Sequence, residues 1–448
     1  MEINSNLIIN WLNIIFSDDL LAYLKLESIK EISLISKLVR GKLKPRLFKH
    51  LELSANNYDF KFKNNIFIEY IKDYLNCVPN NRAHSSAKLV QKDSLLEAGI
   101  GEFTYSLLNI KRFVKNFRLS DTNKAGYYLF HLSCIFINLT NLNITSCIIP
   151  YNGFCKLGES LLNLKCIKLI QVKFAKVLVD YLNRDDYKFS PCLDILEVYQ
   201  CSAINLQTLS DPSELIFIEN ARLMYTYFDL PMVSVPSLKR LTFFGNGLSD
   251  NGYKYFLDAN PSLESLKVEF LDLSAVKNLK SLSILEIGTV TKIDTMIHAA
   301  ALEYVKVLKI GSLCSIYYQN IEKLCLLCCN LEYLHFSIGY EGFQHAINSY
   351  LERIVCKLDK LKTLHLSISH IEGENLDVSI FTNVESIIIE AESSILINLI
   401  FENCENLKEV KFISINSEIN KQQFKDKFSS YNNWNWSFSD NIIKGHKY

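Results

Sequence analysis

The chain has 448 residues, 49% of them hydrophobic, and its 48 Lys+Arg equal its 48 Asp+Glu. The even charge balance excludes the global basic footprint by which nucleic-acid-binding domains attract a phosphate backbone. The length exceeds what one compact core serves, so several domains or an elongated repeat array is expected.

The first residues, "MEINSNLIIN", put no basic stretch ahead of their apolar side chains, so no secretory signal is expected. The strongest apolar runs, such as Ile395 to Phe401, are too short to span a bilayer. The 13 cysteines are odd in number and lie mostly in apolar runs, as Cys134 and Cys166 do. They read as buried free thiols in a reducing compartment, and the expected location is cytoplasmic, nuclear or both. The glycosylation patterns at Asn138 and Asn143 are discounted, because both fall in an expected buried strand.

Leu12 to Leu53 is expected to be a small helical module. From Glu31 it reads as one amphipathic helix stopped by Pro45, followed by a short strand at "LEL", Leu51 to Leu53. Leu12, Phe16, Leu20, Leu24, Ile29, Ile32 and Ile35 exceed what a bundle of roughly 40 residues needs inside. A surplus apolar face on a small module is a candidate partner surface. The basic residues Lys37, Arg40, Lys42, Lys44, Arg46 and Lys49 read as a solvated helix face.

Between this module and the next clear pattern, residues 54–112 are expected to hold a connector and a degenerate first repeat, with a loop at Pro79 to Lys88. From Val114 a phrase recurs: apolar, two residues, apolar, one residue, apolar. It begins at Val114, Leu139, Leu164, Leu193, Ile218, Leu238 and Leu263, and again at Leu282, Val305, Leu331, Leu361, Val384 and Leu407. The mean spacing is about 24 residues, and individual spacings range from 19 to 30. Alternation along a strand sends the fourth and sixth residues inward, while the first anchors the turn. Segments such as "NGYKYFLDAN" and "NIEKLCLLCCN" have helical spacing, so each unit is expected to be a strand plus a helix. No such unit buries its apolar face alone, and stacking the units builds a continuous core with a curved parallel sheet and outer helices. The tail from Tyr431, with two of the three Trp, reads as a hydrophobic end cap.

The phrase resembles the leucine-rich repeat, in an irregular form. That family prefers Asn or Cys three residues after the last strand residue, a place filled here by Cys147, Cys201 and Asn246. The N-terminal module resembles the F-box. Tyr23-Leu24 matches its "YL" helix end and Lys25 to Ser28 its connector. Ile29, Ile32, Leu34 and Ile35 match the next helix, Ser36-Lys37 its end, and "KPRLFKHLEL" its exit into a strand. Asn13, Leu26 and Ser28 replace the usual Pro, Pro and Asp. The expected fold class is therefore α/β, a leucine-rich-repeat solenoid behind a small helical module. The expected divisions are 1–53, 54–112, 113–417 and 418–448. The resemblance implies a substrate receptor of an SCF-type ubiquitin ligase. The F-box would dock on a Skp-type adaptor bridging to a cullin, and the repeats would hold an unidentified target. Two alternatives stay open: a cap over the first repeat, and a repeat-based scaffold or inhibitor with no link to ubiquitin.

Chemistry-bearing motifs are sparse. No phosphate loop, nucleophile elbow or zinc-protease helix is visible, and "GIGEF" at Gly99 is too short for a dinucleotide fingerprint. Asp18-Asp19 reads as a helix start favoured by the dipole. Cys325, Cys328 and Cys329, with His335 on the next strand, lack a second cysteine pair and read as helix cysteines. No enzyme activity, metal or other cofactor is expected, nor a nucleic-acid or membrane partner.

A target would meet the third, fifth and seventh residues of each phrase. The fifth-position ladder is mostly basic, broken by Glu197 and Glu286, which suits an acidic or phosphorylated segment. The seventh-position residues Ile170, Tyr199, Met224 and Phe244 form an apolar strip flanked by Lys168, Arg222 and Arg240. It is a target-binding strip or, if loops cover it or the register slips by one, part of the core. His335 and His365 fall on adjacent rungs and read as surface histidines.

Overall fold

A computed structural model describes residues 16–54, 100–123, 125–176, 187–206, 225–228, 230–245, 251–271, 273–290, 302–313, 318–338, 350–368, 377–401, 405–416 and 418–448. The chain divides into two compact units, Met1–Phe228 and Asp229–Tyr448.

The N-terminal unit opens with three short helices, α1 (Asp18–Tyr23), α2 (Leu26–Ser33) and α3 (Lys37–Leu47). Ser17 caps α1 through the amide of Leu20, and Ser36 caps α3 through the amide of Val39 at 3.2 Å. The continuous helix expected from Glu31 is thus broken at Leu34–Ser36, because a serine hydroxyl satisfies the first amides of a new helix. Pro45 does not stop α3, which runs on to Leu47. A proline in a helix's last turn forfeits one backbone bond near an end that frays anyway. The connector between α1 and α2 is also shorter than expected, since Glu27 and Ser28 are already helical.

Strand β1 (His50–Ser54) follows and contains the expected "LEL". It pairs in parallel with β2 (Asn116–Asn123), then come β3 (Asn141–Pro150), β4 (Cys166–Ile170) and β6 (Ile195–Tyr199), all parallel, with one register shift, between Ser120 and Asn123 in the β2–β3 pair. A second ribbon runs from the far end of β3 through β5 (Lys173–Lys176) to β7 (Ser202–Asn205), where β8 (Tyr225–Tyr227) adds antiparallel. Between the two ribbons the chain turns at Asp121, Ser146, Gln171 and Gln200, each the eighth residue of its phrase, with φ of 56°, 52°, 53° and 50°. The left-handed turn throws the eighth side chain out and the ninth in. Thr122, Cys147, Val172 and Cys201 are accordingly buried. Cys147 fills its place by lying 3.1 Å from Thr122 Oγ1 and donating to the Thr145 carbonyl at 3.0 Å. Asn138 departs from expectation: it sits exposed in the turn before β3, its amide donating to the Arg112 carbonyl.

The C-terminal unit stacks β9 (Arg240–Phe244), β10 (Ser265–Phe270), β11 (Ile284–Thr289) and β12 (Val307–Leu313) in parallel. β13 (Tyr333–Ile338), β14 (Thr363–Ile368), β15 (Ser386–Ala391) and β16 (Glu409–Ser414) continue the stack. β18 (Ile442–Lys447) then pairs antiparallel with β16, and β17 (Trp434–Phe438) with β18. Phe401, Phe428 and Trp436 pack together there, with Phe428 and Trp436 ring centroids 5.0 Å apart. This hairpin lies along an edge that would otherwise offer open N–H and C=O groups.

All but one of the phrases fall in described residues, the one at Ile218 lying outside. In every described phrase the first, fourth and sixth side chains are at most 7% exposed. Both units therefore have leucine-rich-repeat architecture. The connectors differ from one full helix per repeat. "NGYKYFLDAN" and "NIEKLCLLCCN" give helices Asn251–Ala259 and Tyr318–Leu327, but others, such as Leu273–Val276 and Glu352–Val355, are single turns. Among the described residues, no helix is long and apolar enough to cross a membrane.

Candidate protein-binding surfaces

The three-helix module has a small core of Leu21, Ile29, Val39 and Leu43, against which Phe16, Leu24, Ile32 and Leu47 pack. Ile29 is therefore interior, and Phe16, Leu24 and Ile32 are largely spent on the module's own packing. Leu20 is half-buried, and Leu12 lies outside the described residues. Ile35 is different, with 69% of its surface in water. Its neighbours were not counted in the expected partner face: Tyr23 is 88% exposed, Leu34 70%, Leu38 59% and Leu26 42%. The surplus apolar surface thus sits on the α1–α2 connection, the α2–α3 turn and the start of α3. Lys37, Arg40 and Lys42 are exposed beside it. The Ser36 cap was the available signal, because breaking the helix there rotates Leu34, Ile35 and Leu38 away from the core.

On the sheet of the N-terminal unit, Arg118, Asn143, Lys168 and Glu197 stand on successive rungs as the phrase predicts. Their charge is largely matched from within. Arg118 lies 3.6 Å from Glu52 on β1, and Lys168 lies 2.9 Å from Glu197. The hydrogen bond from Lys168 to Glu197 holds the Lys168 ammonium above its ordinary pKa. Lys168 also sits 5.4 Å from the centre of the Tyr199 ring, and Tyr199 is paired with Ile170 on the next rung. Ile170 and Tyr199 are both half-buried on the outward face, so the register is not slipped.

In the C-terminal unit the fifth-position ladder runs Thr242, Lys267, Glu286, Lys309, His335, His365, Ile388, Lys411. Glu286 is shared by Lys267, in close contact, and Lys309 at 4.0 Å. The mostly basic column is therefore close to neutral where it is paired. Phe244 is half-buried with Lys267 5.8 Å from its ring centre, and Arg240 is exposed on the same strand. Met224 and Arg222 lie outside the described residues. Of the expected strip, Ile170 and Tyr199 belong to the N-terminal unit and Phe244 to the C-terminal one.

A polar cluster on β13–β15 went unread in the sequence beyond its two histidines. Tyr333 Oη lies 2.7 Å from His365 Nδ1, His335 Nε2 lies 2.9 Å from Ser367 Oγ, and Ser367 donates to Glu390 Oε2 at 2.9 Å. A carboxylate only accepts, so the single Ser367 proton belongs to Glu390 and His335 Nε2–H is the donor to Ser367. The serine is consequently not activated by a base, and the cluster does not have a nucleophilic triad's geometry. Elsewhere, burial lifts the Cys325 thiol well above its ordinary value and the Cys328 thiol to about 12, while Cys329 is exposed. Among the described residues, no group of three or more His, Cys, Asp or Glu is arranged to hold a metal ion.

No family model and no curated protein matches the chain. Among solved structures, an internalin from Listeria monocytogenes is similar at 18% identity over 63% of this chain and 75% of its own, with a TM-score of 0.29. A leucine-rich-repeat protein from Leptospira interrogans is similar at 14% identity over 68% of this chain and 79% of its own, with a TM-score of 0.30. The repeat architecture rests on strand register and burial, not on these likenesses.

Proposed function

We propose that the chain is a non-catalytic protein-binding scaffold of the cytoplasm or nucleus that serves as a substrate receptor. Its N-terminal module would dock on a Skp-type adaptor of a cullin ubiquitin ligase, and its outward sheet faces would hold a target protein. One observation carries the reading. Tyr23, Leu26, Leu34, Ile35 and Leu38 are exposed together on a module too small to need them. Large apolar side chains left in water are typical of a docking surface. The F-box resemblance supplies the identity of the partner. The target half of the reading is supported by half-buried Ile170 and Tyr199, a ready pair of anchors on an otherwise internally neutralised face.

The test is co-elution of the full chain with a Skp-type adaptor on size exclusion. Ile35→Asp with Leu38→Asp is expected to abolish co-elution and leave the circular dichroism spectrum unchanged, since both side chains are already in water. Leu24→Asp would be a poor choice, because Leu24 packs on the module's core. A second reading has its own support. Helix α3 runs within three residues into β1, the strand beside β2, so the module also suits a cap on the stack. A folded chain that ignores the adaptor would select that reading and remove the ubiquitin link.

A further inference from the structure

The cluster on β13–β15 holds two imidazoles unusually close. The His335 and His365 ring centres are 4.3 Å apart, tilted by 36°. Nε2 of His365 faces the Glu390 carboxylate, an acceptor only, which makes Tyr333 the donor to Nδ1 and places the ring's proton on Nε2. This nitrogen is buried and, among the described residues, has no hydrogen-bond partner. It faces Glu390 Oε2 at 3.9 Å, and that oxygen is held instead by Ser367. His365 is thus neutral, and both rings lie in tilted contact and are held by hydroxyls, with a carboxylate just beyond bonding distance of one of them. Two imidazolium cations at this separation would repel each other strongly.

We propose that Tyr333, His335, His365, Ser367 and Glu390 form an acid-sensitive switch in the outward face of the C-terminal unit. In the neutral state the rings stay in contact and Glu390 stays on Ser367. Protonation parts the rings and draws Glu390 from Ser367 to the His365 imidazolium. This inference stands on the cluster alone and does not depend on the proposed docking function.

The surroundings set the direction. Burial pushes the His365 pKa down to about 4, helped by His335, by Lys309 on β12 and by Lys411 on β16, and opposed by Glu390 on β15. Burial and Lys309 also lower His335, opposed by Glu286 on β11. Tyr333 is itself held neutral, its pKa raised by burial and by Glu390. A histidine with a depressed folded pKa costs nothing above its unfolded value of about 6.5. Below that the unfolded chain takes up protons that the folded one refuses, and the strain grows until the folded pair itself is protonated. The switch is therefore set at neutral pH and opens on acidification toward pH 4.

The experiment is a ring-proton NMR titration of the full chain with labelled histidine, read beside hydrogen exchange of the β13–β15 amides. His335→Gln and His365→Gln assign the two resonances. Both are expected to titrate below ordinary histidine. The His365 midpoint should rise by about half a unit or more in His335→Gln, where a neighbouring charge is gone. Exchange in β13–β15, corrected for intrinsic rate, is expected to quicken about tenfold or more between pH 7 and pH 4 in the natural chain and much less in the doubly substituted one. Should the double variant fail to fold, Glu390→Gln serves instead, and it is expected to lower the His365 midpoint further. Ordinary midpoints for both rings, a His365 midpoint indifferent to His335, or an acid response unchanged by the substitutions would each overturn the proposal.

Discussion

The two units carry the same six-residue phrase and leave it differently. In the N-terminal unit the eighth residue is Asp121, Ser146, Gln171 or Gln200, in the left-handed region, and the chain swings into a second short strand. In the last four repeats of the C-terminal unit the strand runs straight through the eighth residue. Ile338, Ile368, Ala391 and Ser414 point inward there at 1%, 2%, 0% and 5% exposure. Alternation accounts for both. A straight strand sends residues four, six and eight to one face, whereas a left-handed residue resets the count and sends nine inward. The ninth-position Cys and Thr of the N-terminal unit thus have a role that the straight repeats give to position eight. The chemistry of the eighth residue fits in part: Ile338 and Ile368 run straight, whereas serine stands both in a bend, Ser146, and in a straight strand, Ser414. Short or unbranched polar side chains tolerate positive φ, and β-branched Ile does not.

Exchanging the two chemistries tests this rule. The largest effect is expected from Ile368→Gln. It removes a buried aliphatic side chain and buries an amide with no partner, for a combined cost of about 4 kcal/mol. Hydrogen exchange should show β13–β15 opening while β2–β4 keeps its protection. A smaller loss is expected from Gln171→Ile, which forces a β-branched residue into positive φ at a cost of about 1 kcal/mol beyond the strain already carried by glutamine. Gln171→Gly should be close to neutral, because relief of φ strain offsets the greater freedom of the unfolded chain. If Gln171→Ile is as harmless as Gln171→Gly, the bend is set by something other than the eighth residue.

The repeat was legible in the sequence because burial enforces it. Every first, fourth and sixth position is interior, and one short apolar phrase suffices to find it. The bend is written less clearly: isoleucine at Ile338 and Ile368 marks straight repeats, but serine serves in the bend at Ser146 and in the straight strand at Ser414. The N-terminal module was read less well. Its apolar residues were counted without the helix break at Ser36, and that break sends Ile29 inward and Leu34, Ile35 and Leu38 outward. Amphipathic counting sorts faces only once helix ends are known, and a single serine hydroxyl set this end. The β13–β15 cluster was the least legible part. Its members come from three repeats, and stacking alone brings them together.

The smallest effect concerns how the straight repeats keep their register. At the second position of the phrase, charges alternate along the C-terminal stack: Lys239 with Glu264 at 2.7 Å, Glu332 with both Lys306 at 3.3 Å and Lys362 at 3.0 Å, and Glu385 with Lys408 at 3.1 Å. The N-terminal unit also links neighbouring rungs with uncharged groups, such as Thr140 to the Lys115 carbonyl and Gln171 to Gln200. Glu332 is held below its ordinary carboxyl range by its two lysines, so its pairs persist at neutral pH and are lost as acid protonates it. Those pairs lie in water, where ion pairs are weak and salt screens them. Glu332→Gln should therefore lower the urea midpoint of the C-terminal unit slightly at low ionic strength and not at 1 M salt. Thr140→Val, which removes the uncharged link, should give a loss that salt leaves unchanged. A salt-independent loss in Glu332→Gln would mean that the glutamate acts by packing its methylenes between rungs, and the alternating ladder would then be decoration on a register already set by the buried phrase.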